Sequence, residues 1–231
     1  MTAAKTFLAS SIGKKVVMAV TGVMLVGFVI AHMLGNLQVY LGPSALNDYA
    51  EKLRTVPALL WAARLGLLAA ALLHAWAALS LTRMNQKARP QGYREKEHRD
   101  STFASRTMRV SGVLILLFVV YHLAHFTFGW SLVHPDFRPG DVFHNFVSAF
   151  RNPLVSLLYI LAMLVLAPHL YHGMWSWMQT LGLSHPRYNS LRHALALLVA
   201  ALVTLGNISM PVAVMAGLIA EGPRSTATHG R

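Results

Sequence analysis

The chain has 231 residues, of which 55% are hydrophobic and only 12% charged, whereas a soluble domain carries about a quarter charged residues. It contains no cysteine, which excludes disulfides, thiolate-held iron–sulfur clusters and covalently attached c-type haem in this chain. The formal net charge of +12 would point to nucleic acid in a soluble protein, but here it sits in short segments between long apolar runs and reports membrane topology instead.

Charged residues cut the chain into five uncharged stretches, each long enough for the ~20 residues that cross a bilayer core. The expected fold is all-α: one integral membrane bundle of five transmembrane helices, over approximately 16–40, 57–83, 108–132, 153–180 and 191–220. Lys5, Lys14 and Lys15 precede the first span. That span is too long for a signal-peptide core and lacks a well-placed small-residue cleavage site, so it is expected to be retained. The second span opens at Pro57, a good first-turn residue, and tolerates Arg64 by snorkelling. Between spans two and three lie Arg83, Lys87, Arg89, Arg94, Lys96, Arg99, Arg106 and Arg109. This loop reads equally well as a plain connector and as a docking surface for a partner subunit. After span three, Val142–Phe150 (VFHNFVSAF) has the pattern of a short interfacial helix. Pro153 opens span four, and Arg187 and Arg192 separate it from span five. The other loops carry fewer basic residues and mix in Asp48, Glu51, Asp136 and Asp141. The positive-inside rule then places the N-terminus in the cytoplasm and the C-terminus outside.

Six histidines fall within the spans: His32, His74, His122, His125, His169 and His172. Ionisable groups inside a membrane are costly and mark function by default. One buried histidine could be a satisfied packing contact; six across four adjacent helices make that reading weak. Depth sorts them. His32, with His122 and His125, lies past the midpoint of an outward-running helix. His74 and His169 lie past the midpoint of inward-running ones. The result is two layers separated by roughly 10–15 Å at 1.5 Å rise per residue. Two stacked bis-histidine b haems need this arrangement, each iron taking one imidazole from each of two facing helices.

An internal similarity narrows the choice. Met18-Ala-Val-Thr21-Gly22 is followed by His32 ten residues after the glycine, and Met108-Arg-Val-Ser111-Gly112 by His122 at the same spacing. This selects His122 over His125. Gly22 and Gly112 allow close approach by a flat group or by a neighbouring helix, two equal readings. In span four, His169 and His172 share nearly one face, so periodicity leaves both open, one as ligand and one as hydrogen-bond donor.

These stretches together resemble a known family. SIGKKVVMAVTG…AHMLGN, LLHAWAAL, SRTMRVSG…VYHLAHF and HLYHGMWSWMQTLG are similar, in order, spacing and topology, to the five-helix di-haem cytochrome b that anchors bacterial succinate dehydrogenases and fumarate reductases. The resemblance covers nearly the whole chain. It implies axial pairs of His74 with His169 and His32 with His122, and it favours His169 over His172 through the glycine four residues on, Gly173. His125 and His172 are the runners-up. It also implies an electron-transfer subunit that is not itself catalytic for succinate, with no catalytic residue of its own. A flavoprotein subunit and an iron–sulfur subunit would deliver electrons through two haem b groups to a membrane quinone, menaquinone or ubiquinone. The location implied is the bacterial cytoplasmic (inner) membrane. A higher oligomer of the complex is compatible with this.

Haem propionates need cationic or hydroxyl partners near the interface. Ser105 and Arg106 stand at the right depth for the inner haem, with snorkelling or lipid phosphate contact as the plainer account. Asn36, Gln38 and Asp48 are the polar outer residues available to a quinone, and nothing singles one out. Two other functions compete: a cytochrome b serving a hydrogenase or formate dehydrogenase, and a haem-free transporter using the histidines as a proton relay.

Overall fold

A computed structural model describes residues 3–88 and 103–221. Arg89, Arg94, Lys96 and Arg99 of the basic loop lie outside the described residues. Helices make up the fold, with no strand among the described residues. In chain order they are α1 (Ala3–Ala9), α2 (Ser11–Asn36), α3 (Pro43–Arg54), α4 (Pro57–Lys87), α5 (Phe103–His122), α6 (Val142–Arg151), α7 (Pro153–Thr180) and α8 (Asn189–Met215). Among the described residues, five segments are long and apolar enough to cross a membrane: Ser11–Leu41, Pro57–Lys87, Phe103–Thr127, Pro153–Thr180 and Pro186–Met215.

Local chemistry sets the helix starts. Ser10 caps α2 by accepting from the Gly13 N–H at 3.0 Å, and Asn152 caps α7 by accepting from the Leu154 N–H at 3.0 Å. Both satisfy a donor that a helix start leaves orphaned. Pro57 and Pro153 open α4 and α7, where the missing N–H costs nothing. In the first four spans only a narrow stripe is buried. On α4 it is Ala70, Ala77 and Leu81, while Leu65, Leu68, Leu72 and Leu79 are all more than half exposed. Backbone groups inside a bilayer are satisfied within each helix, and small residues on the buried stripe let the helices approach closely.

The main packing pairs are α7 with α8, α2 with α4, α5 with α7, and α2 with α7. Helices α2, α4, α5 and α7 therefore surround a common interior, with α4 across from α7 and α2 across from α5. Helix α8 braces α7 from behind, with Ala196, Ala200 and Val203 buried. One end of the bundle, here the basic end, carries the start of α2, the end of α4, the start of α5 and the α7–α8 turn. The other, here the capped end, is closed by α3 and α6.

Helix α6 is the segment expected as an interfacial helix. Phe143, Phe146, Val147 and Phe150 pack there with Val39, Leu46, Tyr159, Met210 and Val214. Polar contacts pin the cap. Asn47 donates to Asp141 Oδ1 at 3.1 Å and accepts from the Phe143 N–H at 2.9 Å. Asp141 caps α6 by accepting from the His144 N–H at 3.0 Å. Asn145 exchanges two hydrogen bonds with the Arg138 backbone, at 2.6 and 2.7 Å. His144 Nδ1 is hydrogen-bonded to the Glu221 carboxylate. Burial pushes the Asp141 carboxyl up, but the His144 N–H and the Asn47 amide outweigh it and hold the group below the usual carboxylate range.

Helix α5 changes winding near the capped end. Over Leu123–Thr127 it becomes a π turn, with the Phe128 N–H donating to the Leu123 carbonyl at 2.9 Å. Such turns are rare and often mark functional sites.

Candidate functional site

The structure brings four of the singled-out histidines together as two facing pairs. Across the α4–α7 diagonal, the His74 and His169 ring centroids are 6.5 Å apart. Across the α2–α5 diagonal, those of His32 and His122 are 5.8 Å apart. A metal held by two opposed imidazole nitrogens at about 2 Å each would place the ring centroids about 6 Å apart. Both pairs have that spacing.

The basic-end pair is held through its Nδ1 atoms. His74 Nδ1 lies 3.1 Å from the Met18 carbonyl and 3.2 Å from Thr21 Oγ1. A carbonyl only accepts, so Nδ1 carries the proton. Thr21 spends its own hydroxyl proton on the Val17 carbonyl at 2.7 Å, so it too accepts from His74. His169 Nδ1 lies 3.1 Å from Ser111 Oγ, whose hydroxyl donates to the Met108 carbonyl at 3.2 Å. At His74 the carbonyl fixes the proton on Nδ1 and leaves the Nε2 lone pair for a metal, the arrangement that orients metal-binding histidines; with the Ser111 hydroxyl turned to Met108, His169 takes the same tautomer.

The repeated (Thr/Ser)-Gly pairs now have a structural meaning. A Cβ added at Gly22 would stand 3.3 Å from His74 Cε1, and one at Gly112 would stand 3.7 Å from His169 Cε1. Each glycine is a notch that receives the imidazole of the next span: α2 seats the histidine of α4, and α5 seats that of α7. At both positions the group beside the glycine is the ring of a histidine from a neighbouring helix. Pro168 interrupts the α7 hydrogen-bond ladder one residue before His169.

The capped-end pair has aromatic surroundings. His32 stacks on Phe28 with centroids 5.3 Å apart, and His122 packs against Phe118 and Phe126. His122 Nδ1 is 3.3 Å from the Tyr159 hydroxyl. That hydroxyl is also 2.9 Å from His125 Nδ1. His125, in the π turn, is 1% exposed. Beyond it, His134 donates from Nδ1 to the His125 carbonyl at 3.2 Å, and its Nε2 is 3.1 Å from Ser148 Oγ. Burial pushes the His134 imidazole below its ordinary value.

His172 packs edge-on against Trp175, with centroids 6.1 Å apart. Ser105 and Arg106 lie in the first turn of α5 at the basic end, and each has an interaction partner there. Tyr159 went unsignalled in the sequence, because one tyrosine in an apolar span has the pattern of a packing residue. Thr21 and Ser111 were visible as part of the repeat, but their partners lie on other helices.

The chain is thus an all-helical membrane bundle whose interior holds two facing histidine pairs. The family model for the succinate dehydrogenase/fumarate reductase transmembrane subunit matches residues 82–206, more than half of the chain, and the chain belongs to that family. His122, Tyr159 and His169 lie within the matched stretch, and His32 and His74 precede it. No curated protein and no solved structure matches the chain significantly.

Proposed function

We propose that this subunit is a di-haem cytochrome b, with His74 and His169 as the axial ligands of one haem b and His32 and His122 as those of the other. Membership of the family makes the chain a membrane subunit of an oxidoreductase complex. The observation that carries the finer reading is the pair of facing imidazoles at metal-bridging distance. Among the described residues no three metal-binding side chains cluster. Two opposed imidazoles without a third such side chain match the axial donor set of a bis-histidine haem, whose remaining donors come from the macrocycle.

Haem bound at these two positions supplies one-electron couples on the way from an iron–sulfur subunit to a membrane quinone. The chain's own residues do the rest. Met18, Thr21 and Ser111 fix which ring nitrogen faces inward at the basic end. Gly22 and Gly112 give the imidazoles room. The phenyl rings of Phe28 and Phe118 flank the capped-end pair with apolar surface. Ser105 and Arg106 are the groups proposed to meet the propionates of the basic-end haem. The basic end faces the cytoplasm in this reading and receives the iron–sulfur subunit, which carries the flavoprotein. Lysine and arginine in the connections at that end support the orientation.

The test is a reduced-minus-oxidised absorption spectrum of the purified complex with haem counted per chain. Two haems b are expected. None would overturn the reading in favour of a haem-free histidine relay, and a complex without a flavoprotein would point to a hydrogenase or formate dehydrogenase partner. Single alanine substitutions of His32, His74, His122 or His169 should each remove one haem. Loss of the basic-end haem in His172→Ala but not in His169→Ala would reverse the α7 assignment.

A further inference from the structure

We propose that Tyr159 is the positioning residue of the capped-end site, holding His122 by a hydrogen bond and passing that bond on to His125. This rests on His122 being an axial ligand. If His122 binds a metal through Nε2, Nδ1 carries the proton and donates to the Tyr159 oxygen, 3.3 Å away. The Tyr159 proton is then free for His125 Nδ1, at 2.9 Å. His125 Nδ1 must accept, so its proton sits on Nε2, and no lone pair remains there for a metal. One direction of donation thus runs through all three groups and assigns His125 a role other than ligand.

The arrangement is built rather than incidental. Tyr159 is 8% exposed and His125 1%. His125 lies in the π turn, so irregular winding of α5 accompanies its meeting with the hydroxyl. The π turn begins immediately after His122 and leaves the ligand itself on regular helix. The two sites therefore differ. The basic-end imidazoles donate to a backbone carbonyl and to hydroxyls whose own protons are spent on their own helix. The His122 acceptor spends its proton on another imidazole. Donation by Tyr159 to His125 makes its oxygen a stronger acceptor, and a strong acceptor at Nδ1 makes the ligand more electron-donating and favours the oxidised metal.

The experiment is a redox titration of the haem bands in the purified complex, comparing wild type, Tyr159→Phe and His125→Leu. His32→Ala identifies the wave of the capped-end haem by its loss. Phenylalanine keeps the ring packing of Tyr159 against Phe118 and Phe150 and removes only the hydroxyl. Tyr159→Phe should keep two haems per chain, move the capped-end midpoint upward and leave the basic-end midpoint in place. The electron paramagnetic resonance signal of one low-spin haem, and not the other, should change with it. His125→Leu should move the same wave in the same direction by less, and it carries the prediction alone should Tyr159→Phe release that haem. An unmoved capped-end wave with both haems bound would overturn the proposal, and so would equal movement of both waves. Retention of the capped-end haem in His122→Ala with its loss in His125→Leu would make His125 the ligand. A wild-type complex without haem is a different result, because it removes the functional reading itself.

Discussion

Among the described residues, Ser111 is the single hydrogen-bond partner of the His169 ring, whereas the His74 ring is shared by Thr21 and the Met18 carbonyl. The two halves of the repeat therefore respond differently to substitution. Outer-shell partners of metal-bound histidines are worth on the order of 10–100-fold in affinity. Ser111→Ala is expected to weaken retention of the haem proposed at the basic end by at least about tenfold. Thr21→Val should have a smaller effect, because the Met18 carbonyl still holds Nδ1. Haem per chain after dilution into haem-binding scavenger reads this directly. The glycines invert the order: a methyl at Gly22 forces the His74 ring to give by a few tenths of an ångström, while one at Gly112 makes ordinary contact. Gly22→Ala should lower haem content or shift its spectrum more than Gly112→Ala; the opposite ranking would mean the notches are not what seats the rings. The histidines were legible in the sequence because a titratable group inside an apolar span stands out, and their depth followed from counting residues. The partners of those histidines were not legible. Spacing within a span says nothing about which neighbour's ring fills the gap beside Gly22, and Tyr159 meets His122 and His125 only through the packing of α5 on α7.

At the level of single elements, the cap is the part the sequence described least. Its residues read as one amphipathic stretch and a few mixed charges. Folded, they are a network joining α3 to α6, with Asn47 as its crosslink. Asn47→Ala leaves the Phe143 N–H without its partner and takes a donor from Asp141. A part-buried group left unsatisfied costs about 1–3 kcal/mol, so the cap should become protease-sensitive at a lower temperature while haem content stays constant. His134 adds a pH dependence. Burial holds its folded value below the unfolded ~6.5, so as pH falls below about 6.5 the unfolded cap takes up a proton that the folded cap resists. Cap stability should be flat above that point and decline as pH falls from there to the lower folded value. His134→Gln should remove that slope, which thermal denaturation followed at several pH values would show.

Seen whole, the molecule separates its functions by height. Helices α2 and α5 each place a hydroxyl at one level and a histidine eleven residues later at the other (Thr21 and His32, Ser111 and His122). Helix α7 does the reverse with Tyr159 and His169, ten residues apart. Every element around the interior but α4 thus serves both sites, so the two levels are built from one set of helices and cannot drift apart independently. The five spans were legible as uncharged stretches between charged loops, because a bilayer demands a minimum apolar length. Their mutual packing was not, since lipid-facing and helix-facing positions are both apolar and a residue such as Ala77 is buried by small size rather than by hydropathy. Orientation has a direct check. The chain lacks cysteine, so one introduced at Ser44 or Ser184 provides a unique thiol. An impermeant maleimide applied to intact cells should label Ser44→Cys and spare Ser184→Cys. The reverse pattern would turn the bundle over.

The π turn after His122 is, in effect, a one-residue insertion absorbed by the helix. Removing Leu123 or Ala124 would restore regular winding and carry His125 off by roughly 100°, one residue's rotation. Everything N-terminal to the turn, His122 included, would keep its register. A single codon gained or lost there would add or delete the histidine–tyrosine link without touching His122, so this stretch is a place where relatives can differ in the wiring of one site while sharing the rest of the bundle.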